Sequence, residues 1–126
     1  MKYLVEKGLI QGETLDYGCG KGFDAEELQM DKYDPHFQPE LPTNKRYDTI
    51  TCNYVLNVIE DSEMRDATLG VITLLLKDGG TAYITVRRDK FKEGFNSRGT
   101  YQTIVELGLP VLHEKKGSYA TYILHK

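Results

Sequence analysis

With 126 residues the chain has room for one domain with one core and one site, and is too short for a second module. Its composition, 40% hydrophobic and 28% charged, excludes a disordered or membrane-spanning chain, and "MKYLVEKGLIQGE" breaks its apolar run with charges, unlike a signal peptide, so a cytoplasmic protein is expected. The net charge of −3 divides into −7 over residues 1–86 and +4 over residues 87–126, so the C-terminal part either steers an anionic partner such as nucleic acid or is simply a solvated face.

In chain order, residues 2–8 suit a short helix that packs Tyr3, Leu4 and Leu9. "ETLDYGC" reads as a strand closed by glycines, and "FDAEELQ" as a short helix with acidic residues in its first turn. "MDKYDPHF" gives a brief strand that stops at Asp34-Pro35, since proline disfavours helix before it and cannot donate to a ladder. Gln38 to Arg46, with two prolines and no period, is a loop. "YDTITCNYVLNVI" is apolar or β-branched throughout, which suits a strand buried on both faces of a parallel sheet. "DSEMRDATLGVITLLLK" follows as a helix capped by Asp61 or Ser62, with Met64, Ala67, Val71, Leu74 and Leu75 on its buried face. "KDGG" then ends the helix and "TAYITV" is a central strand. "RRDKFKEGFNSRG" reads as a polar loop, "TYQTIVELG" as a short helix and "PVLHEKKGSYATYILHK" as two antiparallel strands joined around Gly117. Strands alternating with helices before a closing hairpin imply an open α/β sheet, parallel except near its last strand. Cys19 and Cys52 lack metal-ligand spacing to each other or to histidine, so both are expected as reduced thiols and no metal is expected.

In such a sheet, ligands bind at the carboxyl ends of the strands where the strand order reverses, which is the loop after the first strand. Gly18, Gly20 and Gly22 stand there. A dinucleotide loop wants G-x-G-x-x-G, but here the third glycine comes one residue early, and a phosphate-gripping G-x-x-x-x-G-K-[S/T] is absent, so neither NAD nor ATP is favoured.

"LDYGCGKG" resembles the D/E-x-G-x-G-x-G loop of class I S-adenosylmethionine (SAM)-dependent methyltransferases. "YDTITCNYVLNVIED" is similar to their fourth strand and following loop, and "LLKDGGTAYITV" to their L-K-P-G-G turn and fifth strand, in the family's order. More narrowly, "DYGCGKG", "YDP", "YVLNVIED" and "SRGTYQ" resemble methyltransferases encoded beside DNA phosphorothioation genes. The resemblance implies a reduced Rossmann-like fold: an open, doubly wound, mostly parallel sheet whose third strand and its helix are missing, ended by the C-terminal antiparallel hairpin.

It also implies roles. Asp16 supports the glycine loop and reaches the cofactor's amino group, while the main chain at Gly18, Cys19 and Gly20, with Gly22 completing the loop, holds the methionine portion of SAM, or of its product S-adenosylhomocysteine (SAH). Asp34 lies sixteen residues beyond Gly18, near the ~20 expected of an acidic residue that accepts from ribose hydroxyls, with Pro35 beside it; a plain Asp-Pro turn is the alternative. Asn53, Tyr54 and Val55 follow the fourth strand, where the family places residues beside the transferred methyl, but "NYVL" lacks the prolines of base amino-methyltransferases acting on DNA. Arg98, in "SRGTYQ", either joins a lid over the site with Tyr101 and Gln102 or lies on a surface loop. The candidate catalytic residues are thus Asn53, Tyr54 and Arg98; no His/carboxylate pair stands out as a base, and Tyr54 and Asp89 are the alternatives.

Three functions fit this pattern: methyl transfer from SAM to a small or exposed acceptor, a SAM/SAH-binding module or subunit without its own transferase activity, and a nucleic-acid methyltransferase that uses the basic C-terminal half. The missing strand leaves one sheet edge open, which a homodimer or a partner subunit would cover.

Overall fold

The computed structural model describes residues 1–89, 93–95, 99 and 101–126. A short helix α1 (Lys2–Glu6) leads into strand β1 (Thr14–Tyr17), helix α2 (Phe23–Glu27), β2 (Asp31–Tyr33) and β3 (Tyr47–Asn53). A 3-10 turn (Leu56–Val58), helix α3 (Ser62–Leu75) and the long β4 (Leu76–Arg87) follow, then β5 (Gly94–Phe95), β6 (Tyr101–Gln102), β7 (Val111–Lys115) and β8 (Tyr119–His125). The main sheet runs in the order β2-β1-β3-β4-β8-β7, while β5 and β6 form a separate two-stranded ribbon. Strands β2, β1, β3 and β4 are mutually parallel, whereas β8 pairs antiparallel with both β4 and β7. This is the expected mostly parallel, Rossmann-like sheet with its closing hairpin.

The core explains the pattern. All four residues of β1 are buried, and Leu15, Ile50, Ala82, Ile84 and Val86 pack along neighbouring strands with little or no exposure, as strands covered on both faces require. The strand order turns outward on either side of β1 and β3, so their carboxyl ends open on the crevice where such sheets bind ligands.

Among the described residues, no strand lies beyond β2. The loop that occupies the place of a third strand returns to this edge instead: Lys45 Nζ donates to Asp31 Oδ2 at 2.8 Å and reaches Glu13 at 3.0 Å, while the Tyr47 hydroxyl donates to the same Asp31 oxygen at 2.6 Å. These contacts blunt a three-residue edge strand.

Four local expectations are corrected. β3 stops at Asn53 instead of running to Ile59, because the chain turns at Tyr54 and enters the 3-10 turn. α3 is capped as expected, with Asp61 accepting from the Glu63 amide, and Leu75 is buried as expected, but the other buried residue is Ile72, whereas Met64 and Leu74 are 57% and 62% exposed. The reason lies at its end: β4 begins at Leu76 without an intervening loop, and burying both Leu75 and Leu76 rotates the helix away from the expected face. "KDGG" therefore does not end a helix but lies within β4, where a Cβ at Gly80 would sit 2.8 Å from the Lys77 carbonyl and 3.0 Å from that of Tyr47.

Thr100 lies outside the described residues, and the rest of "TYQTIVELG" is not a helix either. Tyr101–Gln102 is β6, and its continuation is held by tertiary bonds: the Thr103 amide donates to the Asn57 carbonyl at 2.8 Å, and Glu93 accepts from Thr103 Oγ1 and the Ile104 amide. Val105 turns into the core at 5% exposure, so burial of one β-branched residue and these bonds outweigh a weak helical period.

Candidate active site

The glycine loop hangs from the end of β2. The amides of Gly18 and Cys19 both donate to the Tyr33 carbonyl, at 2.7 and 2.9 Å, which folds the chain sharply as it leaves β1. Gly18 and Gly20 adopt φ of +83° and +59°, a region that side chains disfavour. The two differ in what they approach. A Cβ at Gly18 would stand 2.2 Å from Val55 Cγ2, so this glycine is required by the chain's own packing, whereas nothing lies within 4 Å of a Cβ at Gly20. At Gly20 the positive φ, rather than crowding, is what calls for glycine. Gly22, behind it, serves as N-cap of α2, and the Cys19 thiol donates to the Gly20 carbonyl.

Two carboxylates flank this loop. The parallel register sets Asp16 opposite Lys32 on β2 and Thr51 on β3, and Thr51 Oγ1 donates to Asp16 Oδ1 at 2.9 Å. Asp16 is only 5% exposed, and burial pushes its carboxyl above the usual carboxylate range despite the Thr51 bond. Asp34, just past β2, accepts from the Gly20 amide at 2.9 Å through one oxygen and from the His36 and Phe37 amides through the other. Asp34 thus makes the Asp-Pro turn and ties it to the glycine loop. Phe37, beyond the turn, is 52% exposed.

On the other side of the loop, Asn53 ends β3 with its Oδ1 buried and without a hydrogen-bond partner. A buried acceptor without a partner is uncommon, since most such groups are bonded. Tyr54 follows with φ +60°, rare for a bulky residue, and its amide donates to the Thr85 carbonyl at 2.8 Å. The strain is testable in the unliganded protein: Tyr54→Gly should be more stable than Tyr54→Ala by about 1 kcal/mol in urea denaturation, because only glycine relaxes the left-handed backbone. Equal stabilities would show that the conformation stores no strain.

Tyr54 borders a cleft of about 460 Å³ at the carboxyl ends of β3 and β4, lined also by Asn57, Val58, Arg87, Asp89, Gln102 and Ser118. Arg87 grips Asp89 with two bonds, Nε to Oδ1 at 2.5 Å and Nη2 to Oδ2 at 2.9 Å, which holds the Asp89 carboxyl below its ordinary value. Burial, then the nearby Tyr119 and Asp89, pushes the Tyr54 phenol upward. Neither alternative base is thus tuned to take a proton near neutrality. Cys52 is fully buried and its thiol is raised far above the ordinary value by burial, so it serves the core rather than nucleophilic chemistry. A further hollow of about 400 Å³ opens at the opposite, amino ends of the strands, among Gln11, Gly12, Asp48 and Thr49, and holds none of the expected site residues.

The structure thus brings together Asp16, Gly18, Cys19, Gly20, Gly22, Asp34 and Pro35 on one side of the crevice and Asn53, Tyr54 and Val55 on the other; Arg98 lies outside the described residues. Sequence reasoning missed Thr51, Phe37 and Asn57. The one available signal for Asn57 was a polar residue set in the apolar run "YVLNVIED". No cluster of metal-binding side chains occurs, and no helix is long and apolar enough to cross a membrane, among the described residues.

Comparison with known proteins agrees with the fold. The chain superimposes on the Burkholderia thailandensis 1,6-didemethyltoxoflavin-N1-methyltransferase, solved with 1,6-didemethyltoxoflavin and SAH, with a TM-score of 0.68 and 18% identity over 99% of this chain and 75% of that one. The N-methyltransferase NodS of Bradyrhizobium japonicum, solved with SAH, gives 0.61 and 13% over 98% and 84%. A SAM-dependent methyltransferase of Clostridium acetobutylicum gives 0.60 and 15% over 97% and 87%. No curated protein sequence matches the chain. The model of a methyltransferase domain, a SAM-dependent family, matches residues 2–100, glycine loop, β3 and β4 included, and the chain belongs to that family.

Proposed function

We propose that the protein transfers a methyl group from SAM to an acceptor seated in the cleft beside Tyr54. The observation that carries this reading is the sharply folded glycine loop after β1, tied through the Gly20 amide to Asp34 at the end of β2, in a chain of the methyltransferase-domain family. Bound there, SAM supplies a methyl already activated on a sulfonium. Asp16, buried and charged at neutral pH only at a cost, would take the cofactor's ammonium, and the loop from Gly18 to Gly20 would lie along its methionine chain. Asp34 has lone pairs left for ribose hydroxyls after its three amide bonds, and Pro35 and Phe37 lie beside it for the adenine. Asn53 and Tyr54 then face the reacting centre, where in-line positioning and exclusion of water are the protein's main contributions. With Tyr54 pushed upward and Asp89 paired to Arg87, the site suits a nucleophile whose lone pair is available without prior deprotonation, such as a neutral nitrogen.

Titration of the protein with SAM, SAH and NAD tests the reading. Binding of SAM and SAH alone is expected, weakened about tenfold or more by Asp34→Ala, which removes the ribose acceptor and the tether on Gly20 together. Absence of SAM and SAH binding at millimolar ligand would sink it. At the rim of the acceptor cleft, two residues far apart in sequence meet where Asn57 Nδ2 donates to Gln102 Oε1 at 2.8 Å.

A further inference from the structure

That contact leaves two hydrogen-bonding groups over. Asn57 is 1% exposed and lines the acceptor cleft, yet its Oδ1 has no partner, and the return bond from Gln102 Nε2 that would close the amide pair is not made. Asn57 is fixed by more than its side chain, since its carbonyl accepts from the Thr103 amide and so locks the 3-10 turn to the strand that carries Gln102. A buried amide held in place with one acceptor open is costly unless something completes it. Across the cleft, Arg87 and Asp89 neutralise each other, and Tyr54 and Val58, 46% and 41% exposed, offer aromatic and apolar surface.

We infer that the Asn57–Gln102 pair reads the methyl acceptor, and that the acceptor is an uncharged flat heterocycle with a hydrogen-bond donor and an acceptor side by side on one edge. Its ring N–H completes Asn57 Oδ1 and its neighbouring carbonyl takes the Gln102 Nε2 hydrogen, while the ring lies against Tyr54 and Val58. The paired charges at the rim disfavour an ionic ligand, and a flat ring fits a cleft with one aromatic wall. The inference rests on the methyl-transfer reading, because the cleft is an acceptor site only if the cofactor sits in the crevice beside it.

Calorimetric titration of SAH-saturated protein with uridine and 3-methyluridine tests it. Uridine carries the N–H and carbonyl edge; 3-methyluridine has the same ring with the donor blocked. Uridine is expected to bind at least tenfold more tightly than 3-methyluridine. In Gln102→Glu, which keeps an acceptor for Asn57 Nδ2 but has no donor to offer, uridine binding should fall about tenfold and preference should move toward guanosine, whose edge has two donors, with SAH affinity unchanged. A purely structural role for Gln102 would not move that preference. An oligouridine that binds in place of the free nucleoside, with the same discrimination, supports the edge and assigns its source to nucleic acid. SAH binding with uridine absent, or indistinguishable from 3-methyluridine, overturns the inference alone. Failure to bind SAH at all overturns the methyl-transfer reading beneath it.

Discussion

Replacing Asp16 with asparagine should make the protein more stable at neutral pH while weakening its hold on SAM more than tenfold. The carboxylate is buried, and burial raises its pKa; asparagine fills the same volume, still accepts from Thr51 Oγ1, and carries no charge to desolvate. The sign of the pH dependence follows. Because the folded carboxyl holds its proton to higher pH than the unfolded one, the folded state binds more protons between the two values, and stability falls as pH rises through that window. The variant lacks this decline, so melting temperatures of the two proteins should converge below the ordinary carboxylate range and separate above it in favour of asparagine. Cofactor binding should move the other way, since losing a charged partner for an ammonium costs about 1.5–3 kcal/mol. A variant that gains stability and loses SAM would identify Asp16 as a group held at a cost to the fold for the sake of the ligand. Thermal unfolding across pH and calorimetric titration at pH 7 measure the two halves, and a destabilised variant with unchanged affinity would refute both.

The second large effect is expected at Gly18. Gly18→Ala should cost about 3 kcal/mol, part from a left-handed backbone at φ +83° and part from a methyl driven to 2.2 Å from Val55 Cγ2. The parts are separable by a double-mutant cycle. In a Val55→Ala background the steric share disappears and the cost of Gly18→Ala should fall to about 1–2 kcal/mol. Equal costs in both backgrounds, read by urea denaturation, would show that the loop's shape alone demands the glycine. Gly20→Ala is the useful contrast, because its Cβ meets nothing within 4 Å.

That contrast shows what the sequence made legible and what it did not. The alternation of strands and helices, the stop at Asp34-Pro35 and the closing hairpin could be read because they follow from local chemistry, from proline, glycine and runs of β-branched residues. The glycine spacing marked the sharp turn after β1 for the same reason. What distinguishes Gly18 from Gly20 is the position of Val55, which only the folded β3 end supplies. The misplaced face of α3 has a similar origin: its period alone does not fix rotation, and the direct junction of Leu75 with Leu76 does. The Asn57–Gln102 bond joins residues 45 apart, and no local pattern announces a contact of that kind. Tertiary bonds of Thr103 and Ile104 likewise outweighed the helical reading of the segment after β6.

The antiparallel pairing of β4 with β8 bears on how the chain reaches this state. β4 lies in the middle of the sheet, but one of its two neighbours arrives late: the ladder joins Arg87 to Tyr119 at one end and Thr81 to His125 at the other, partners 32 to 44 residues apart. Until β8 docks, a long strand carrying Ile84 and Val86 has one row of amides and carbonyls unpaired, the template on which another chain's strand can add. Loop closure over that span precedes the reward of the ladder, so docking of β8 belongs among the slow steps of folding. The half-made sheet is then the species most exposed to association, and refolding yield should drop with protein concentration more steeply than the stability of the finished fold would suggest.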